Sequence, residues 1–376
     1  MISEKFLRIV LIVTAVFASV MLYADKKPEN TGGAMPAEKT NSAKVYFTKD
    51  ISSAGLMKVF EKVRGNVSGK RTGLKVHFGE EGNKYYIKPE LMKDLVKSLN
   101  ATFVETNVLY VGKRRYTESH IALAKEHGFT YAPIDILDSE GTIKYPATGL
   151  KHIKKAIVGS HMKNYDTIVV LSHFKGHQGS GFGGAIKNVG MGLGAIAGKM
   201  AMHASTVPTV STSKCTKCGA CVPQCPGNAI TIEPKVVIDP EKCIGCAKCI
   251  GVCPTRVYGV PWGSTDTPAF IEKLVEYAKI IKDNKHMVYI NFLVDISPDC
   301  DCMRSAGKPF VKDIGILVST DMLAIDAASH DLVNEASHTK DAFFKHSGVS
   351  GRPQIEYGRK IGLGNDSYEL VDLDGK

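Results

Sequence analysis

The stretches CTKCGACVPQCP, residues 215–226, and CIGCAKCIGVCP, residues 243–254, are two copies of one pattern, C-x2-C-x2-C-x3-C-P, set 28 residues apart. Eight of the ten cysteines of the 376-residue chain fall inside these 39 residues, so the thiols are a local construction and not scattered core residues. Three thiolates spaced by two residues can be presented by one tight loop around a small body, and the fourth then opens the next element. A cubane iron–sulfur cluster asks for such a set. Gly219 and Gly245 let the backbone approach sulfur, and Pro226 and Pro254 stop the chain after the fourth cysteine. Structural zinc uses Cys-x2-Cys pairs, but not two intact four-cysteine runs each ending in proline. Disulfides at this density would be strained and ambiguous in pairing, and free core cysteines would not recur on a fixed grid.

Between the runs, Ala229–Glu233 and Val236–Asp239 are expected to form a short hairpin. The whole segment resembles a bacterial two-cluster ferredoxin. In that family the fourth cysteine of each run serves the other run's cluster. The resemblance therefore implies Cys215, Cys218, Cys221 and Cys253 for one cluster, and Cys243, Cys246, Cys249 and Cys225 for the second. Two 4Fe-4S clusters fully capped by cysteine relay single electrons and make no bonds to substrate. With six basic and three acidic groups in residues 208–260, the segment should favour the reduced, more negative cluster state and raise its potential above that of an acidic ferredoxin.

On both sides of this segment the texture is different. Short β-branched runs at Val45–Phe47, Leu74–Phe78, Phe103–Glu105, Ile134–Ile136, Thr167–His173, Met287–Ile296 and Ile314–Ser319 alternate with helical spacing at Pro89–Leu99, Ser119–His127 and Thr267–Asp283. This alternation predicts an α/β layered fold with a mostly parallel sheet. The expected organisation is one α/β domain made of residues 44–207 and 261–376, interrupted by a small α+β ferredoxin-like insert at 208–260. No element is assigned to the Gly-rich Ser337–Lys376.

The composition agrees with a globular chain. Hydrophobic residues make up 44% and charged residues 23%, which excludes a mostly disordered chain, a collagen-like fibre and a polytopic membrane protein. The net charge of +10 is uneven: residues 44–207 carry 24 basic and 13 acidic groups, residues 261–376 carry 13 and 18. The two halves complement each other electrostatically. No basic stripe with interleaved aromatics or nucleic-acid reader motif is present, so no nucleic-acid partner is expected. At the N-terminus, Lys5 and Arg8 precede the uncharged run Ile9–Ala24. Residues 1–24 read as a signal peptide or anchor, and 25–43 as a flexible linker. The expected location is exported or membrane-anchored, with the cytoplasm as the alternative, and membrane contact is expected only through that anchor.

Outside the cysteine runs, HFKGHQGSGFGGAIKNVGMG, residues 173–192, follows a strand and is rich in glycine. Its backbone N–H groups, with Lys175, Lys187 and Asn188, suit a phosphate or carboxylate. His173, His177 and His203 are candidate metal ligands. Asp295, Asp299, Cys300, Asp301 and Cys302 form an acidic, thiol-bearing loop after a strand, where α/β folds place ligands. Cys300 and Cys302 are too close for an ordinary disulfide. Asp321 and Asp326 are a further acidic pair. No Ser-hydrolase elbow, catalytic dyad, flavin or nicotinamide fingerprint is found.

The strings just quoted, with ETNVLYVGKRRYTESH (105–120), PDCDC (298–302), DIGILVSTDMLAIDAAS (313–329) and GLGNDSYELV (362–371), resemble the domain of unknown function 362 family. That family often carries an inserted two-cluster ferredoxin and has no defined reaction. The resemblance implies the architecture and the clusters. The expected function is an iron–sulfur protein passing electrons to or from a site in the α/β domain, with a redox protein or small-molecule donor or acceptor as partner. The alternative is a non-redox protein that binds an anion or a metal and keeps its clusters for structure.

Overall fold

The structure is a computed structural model that describes residues 42–375; the expected signal or anchor segment and nearly all of the linker lie outside them. Among the described residues, no helix is long and apolar enough to cross a membrane.

The chain runs β1 (Ala43–Thr48), α1 (Ser53–Phe60), β2 (Thr72–Lys75), α2 (Lys93–Leu99), β3 (Thr102–Glu105), α3 (Thr117–Glu126), β4 (Ile134–Ile136), β5 (Thr142–Pro146), β6 (Lys155–Gly159) and β7 (Thr167–His173). It continues through the small hairpin β8 (Lys175–His177) and β9 (Gly181–Gly183), then α4 (Ala185–Gly190) and α5 (Ile196–His203). The cysteine segment holds β10 (Thr209–Val210), β11 (Ile230–Thr231), β12 (Val237–Ile238), α6 (Lys248–Val252) and β13 (Tyr258–Gly259). After it come α7 (Thr267–Asp283), β14 (His286–Leu293), β15 (Gly315–Ser319), α8 (Met322–Ala336), α9 (Ala342–Ser347), α10 (Arg352–Lys360) and β16 (Tyr368–Asp372).

Eight strands form one sheet in the order β16-β1-β15-β14-β7-β2-β3-β4. Every pairing is parallel except the two made by β15. The fold is therefore the mostly parallel α/β sheet expected. Strand β7, before the cysteine segment, pairs along its whole length with β14, after it, from His286 opposite Thr167 to Phe292 opposite His173.

Both faces of the sheet are covered, which is why its central strands read as unbroken apolar runs. Successive side chains point to opposite faces. Ile168 and Val170 of β7 join a core with Leu274 and Val275 of α7 and Leu323 of α8. Val169 and Leu171 join another with Val59 of α1 and Leu95 of α2. The helix α7 begins where Asp266 caps Ala269 N–H at 2.7 Å and Pro268 sits in the first turn.

Some expectations shift. Pro89–Leu99 is a 3₁₀ turn, Pro89–Met92, followed by α2. The strand expected at Leu74–Phe78 is Thr72–Lys75, because Val76 and Phe78 continue into a buried loop without ladder partners. Ser337–Lys376, given no elements from sequence, holds α9, α10 and the edge strand β16. Ala43, counted in the linker, is the first residue of β1.

In the cysteine segment, β11 and β12 pair antiparallel as the expected hairpin. Its entry and exit, β10 and β13, also pair, with Thr209 opposite Gly259. The lobe is thus closed at its neck. Its core is small: Cys221, Ile230, Val236, Ala247, Ile250, Val257 and Tyr258, completed by Leu109 and Met200 of the main domain.

Candidate functional site

The two cysteine loops share a backbone as well as a sequence pattern. Lys217 and Gly219 have φ of +56° and +78°, and 28 residues on Gly245 and Ala247 have +68° and +57°. Asn228 and Arg256, after each fourth cysteine, repeat at +49° and +54°. Left-handed residues two apart can turn neighbouring N–H groups to one side, a concavity that suits an anionic body. A Cβ at Gly219 or Gly245 would meet nothing within 4 Å, so these glycines ease the positive φ that Ala247 and Lys217 adopt at the equivalent positions and do not serve closeness. The N–H groups of Ala229 and Val257 donate to Cys225 Sγ and Cys253 Sγ, both at 3.3 Å, and Lys217 N–H to Cys215 Sγ at 3.4 Å. The Tyr258 hydroxyl donates to Cys221 Sγ at 3.1 Å.

Cys215, Cys218, Cys221 and Cys253 line one small cavity of the lobe. Cys225, Cys243, Cys246 and Cys249 line a second. Among the described residues, no three of these eight sulfurs lie within 4.8 Å of one another. Four sulfurs on a single tetrahedral zinc would be about 3.8 Å apart, given Zn–S bonds of about 2.3 Å. As they stand, these sulfurs are not gathered as a single tetrahedral ion would gather them.

A larger cavity, about 560 Å³, opens in the main domain. It lies at the carboxyl ends of β2, β3, β7 and β14. The chain steps outward from β2 to β3 and β4, then returns to place β7 on the other side of β2, and such a reversal opens a crevice at the strand ends. Lys75 ends β2, Glu105 ends β3, and Lys75 Nζ reaches Glu105 Oε1 at 3.0 Å and donates to Asn188 Oδ1 at 2.7 Å. Burial lowers the Lys75 pKa against the pull of Glu105. Arg114 Nε meets Glu80 Oε2 at 3.2 Å, and its Nη2 donates to the Tyr110 hydroxyl at 2.6 Å. Lys199 donates to Thr106 Oγ1, Asn107 O and Gly194 O, and burial pulls it down to about 8.

The thiol loop crosses the same cavity. Asp301 is fully buried between Lys175 Nζ, 3.1 Å away, and His173 Nδ1, 3.3 Å away. Burial would raise its carboxyl, but His77, Lys175 and His173 around it hold it well below the usual range. Lys187 Nζ donates to Cys300 Sγ at 3.4 Å. The Cys300 thiol is brought down to about 6 by a hydrogen bond from Cys302, with Lys187 adding to it against burial; Cys302 is correspondingly raised. Burial alone would lower Lys187, but the negative charge of Cys300, Cys302 and Asp301 raises it.

The sequence-expected residues therefore sort as follows. His173, Lys175, His177, Lys187, Asn188, Cys300 and Cys302 all line this one cavity. The histidine trio does not act together. Both ring nitrogens of His173 are engaged, Nε2 on Val294 O at 2.7 Å. His203 is stacked on Phe270, ring centres 4.7 Å apart, and burial drops it to about 3. His177 instead joins Cys300 and Cys302, each offering a ligand atom within 4.8 Å of the others. The anion expected on the Gly-rich turn is supplied by the chain itself. Asp326 accepts from Ala185 N–H at 2.7 Å, Ile186 N–H at 2.8 Å and Asn291 Nδ2 at 2.8 Å. Asp321 caps α8 through Leu323 N–H and Ala324 N–H. Neither acid of that pair is in the cavity lining. Sequence reasoning missed Lys75, His77, Glu105, Arg114 and Lys199; for Lys75 and Glu105 the signal was charge placed at the end of an apolar run.

One segment joins lobe and cavity. Arg115, buried, donates to Val108 O and Leu109 O and, across the seam, to Ala247 O at 2.9 Å between Cys246 and Cys249. Leu109 belongs both to the lobe core and to the cavity wall.

Residues 72–331 match the family described as a domain of unknown function, DUF362. No curated protein matches the chain. Among solved structures, it is similar to the lactate racemase apoprotein from Thermoanaerobacterium thermosaccharolyticum at 14% identity and a TM-score of 0.36, covering 67% of this chain and 51% of that one. It is also similar to a Thermotoga maritima protein at 8% identity and a TM-score of 0.38, covering 77% and 59%. The chain spans about half to three fifths of the length of these structures.

Proposed function

The chain belongs to the DUF362 family, whose description names no reaction, and from that starting point we propose that it is an iron–sulfur electron-transfer protein. In this reading it carries two 4Fe-4S clusters, one on Cys215, Cys218, Cys221 and Cys253, the other on Cys225, Cys243, Cys246 and Cys249. The observation that carries it is the division of the eight cysteines between two small cavities in crossed sets of four. The repeated left-handed backbone and the N–H donors on sulfur support an anionic occupant in each. When bound, the clusters supply one-electron transfer.

The chain's own residues outline a route. Cys218 is exposed, a surface where an external redox protein or small-molecule donor or acceptor reaches the first set. The second set abuts Arg115 and Leu109, which lead to the 560 Å³ cavity. Hydrogen bonds from Tyr258 and from backbone N–H groups stabilise the more negative reduced state. Residues 1–24 act as an export signal or anchor, so electrons are exchanged outside the cytoplasm or at a membrane surface.

The non-redox, anion-binding alternative is the weaker one. Backbone donors of the Gly-rich turn already hold Asp326, and Lys175 is paired with Asp301. Anaerobic purification with iron and sulfide analysis tests the reading: about eight of each per chain, and an electron paramagnetic resonance signal on reduction, are expected. A colourless protein, or zinc in place of iron, overturns it.

A further inference from the structure

We propose that His177, Cys300 and Cys302 bind one soft divalent transition-metal ion, of the zinc or ferrous class, with its fourth position open to the main cavity. The proposal deepens the reading above, because this is the cavity toward which the lobe faces, but the ion does not depend on the clusters.

Two sulfurs and one imidazole suit such an ion and not magnesium or calcium, which take oxygen. Zinc bonds of about 2.0–2.3 Å place its ligand atoms about 3.5–3.8 Å apart, inside the 4.8 Å envelope found here. The three donors come from two loops that are locked together. Gly176 N–H, next to His177, donates to Ser297 O at 2.9 Å. A Cβ at Gly176 would lie 1.8 Å from Pro298 O, so the two backbones touch. Between the two cysteines, Asp301 is fixed by Lys175 and His173, and its Oδ1 lies 3.5 Å from Cys300 Sγ. Cys302 N–H donates to Cys300 Sγ at 3.3 Å and Lys187 adds a second donor, two groups that offset the Asp301 carboxylate and favour negative charge on that sulfur.

The imidazole has an outer partner. His177 Nδ1 is 2.9 Å from Ser180 Oγ, and that hydroxyl donates to Phe182 O at 3.0 Å. With Nδ1–H donating to Ser180, the Nε2 lone pair is left for the metal, the usual way such a ligand is oriented. The rival arrangement has Gly179 N–H, 3.1 Å away, donating to Nδ1, with the proton on Nε2 and no metal bound. Three protein ligands beside a cavity leave a position for substrate or water, and binding displaces the thiol protons into solvent.

The test uses full-length protein purified without oxygen and dialysed against zinc chloride, with zinc, iron and sulfide counted together. Wild type should hold one zinc more than the double variant Cys300→Ser/Cys302→Ser, with iron and sulfide equal in the two. Ser180→Ala should weaken zinc retention about tenfold. Cobalt(II) in place of zinc should give a thiolate-to-cobalt charge-transfer band in wild type that the double variant lacks. Equal zinc in wild type and double variant, with no cobalt difference, overturns the site. A zinc difference without iron would instead sink the cluster reading and leave this one standing.

Discussion

The main domain and the cysteine lobe differ in what holds them together. The main domain buries apolar side chains on both faces of an eight-stranded sheet. The lobe has strands of two residues, a minimal core that borrows Leu109 and Met200, and exposed Val222, Val237, Ile244 and Val252. A unit of this size with so little core needs a staple, and thiolate ligation couples binding to folding. The first region carries its own extensive apolar core; the second has little core of its own.

The largest effect that could break this contrast is Cys246→Ser. Iron should fall from about eight to about four or fewer per chain, and limited proteolysis should cut within residues 208–260 while the sheet stays protected. Cleavage spread over the main domain would refute the independence of the two. Gly176→Ala comes next and acts on the main domain alone. Its new Cβ has no flexible neighbour to displace, so a loss of several kcal/mol is expected in denaturant midpoint, above the ~1–3 kcal/mol of ordinary overpacking, with iron content unchanged. Gly65→Ala, where nothing lies within 4 Å, is the matched control.

Asp326 gives the main domain a pH signature. Burial raises its carboxyl from 3.8 to about 6 despite three donors. Its folded pKa exceeds its unfolded one, so the stability it contributes is full below about pH 4 and is lost as pH rises through about 6. The change is on the order of 3 kcal/mol, read from urea midpoints between pH 4 and 7, and Asp326→Asn should flatten it. At the seam, Arg115→Ala removes the tie to Ala247 and should cost about 1.5–3 kcal/mol, seen as faster hydrogen exchange in the lobe. The smallest effect is Ser52→Ala, which removes the cap on Gly55 N–H at 3.1 Å and should cost about 1 kcal/mol with no change in the lobe.

The same contrast explains what could be read from sequence. Strand β7 and helix α7 have the expected limits to the residue, because an apolar run bounded by polar groups and a Pro-started helical period are local signals. The cysteine grid is likewise local. The inner wall of the cavity is not. Lys75 meets Glu105 and Asn188 only because β2 lies between β3 and β7, an order no local pattern records. His177 finds Cys300 and Cys302 for the same reason, so the histidines looked like partners of one another. Edge strand β16 was hidden because its alternation faces solvent and only its parallel pairing with β1 defines it. The Gly-rich turn was legible as a nest of donors, but its occupant, Asp326, sits 140 residues away.

The paired neck of the lobe has an evolutionary corollary. Val210 and Tyr258 face each other across a ladder, so neighbouring backbones about 5 Å apart mark where the chain leaves the host and comes back. Excision would leave a gap that a turn of two residues can bridge. An ancestor lacking the cassette, or a descendant grafted with a different one, would inherit the main sheet unaltered and change only what is docked against its crevice.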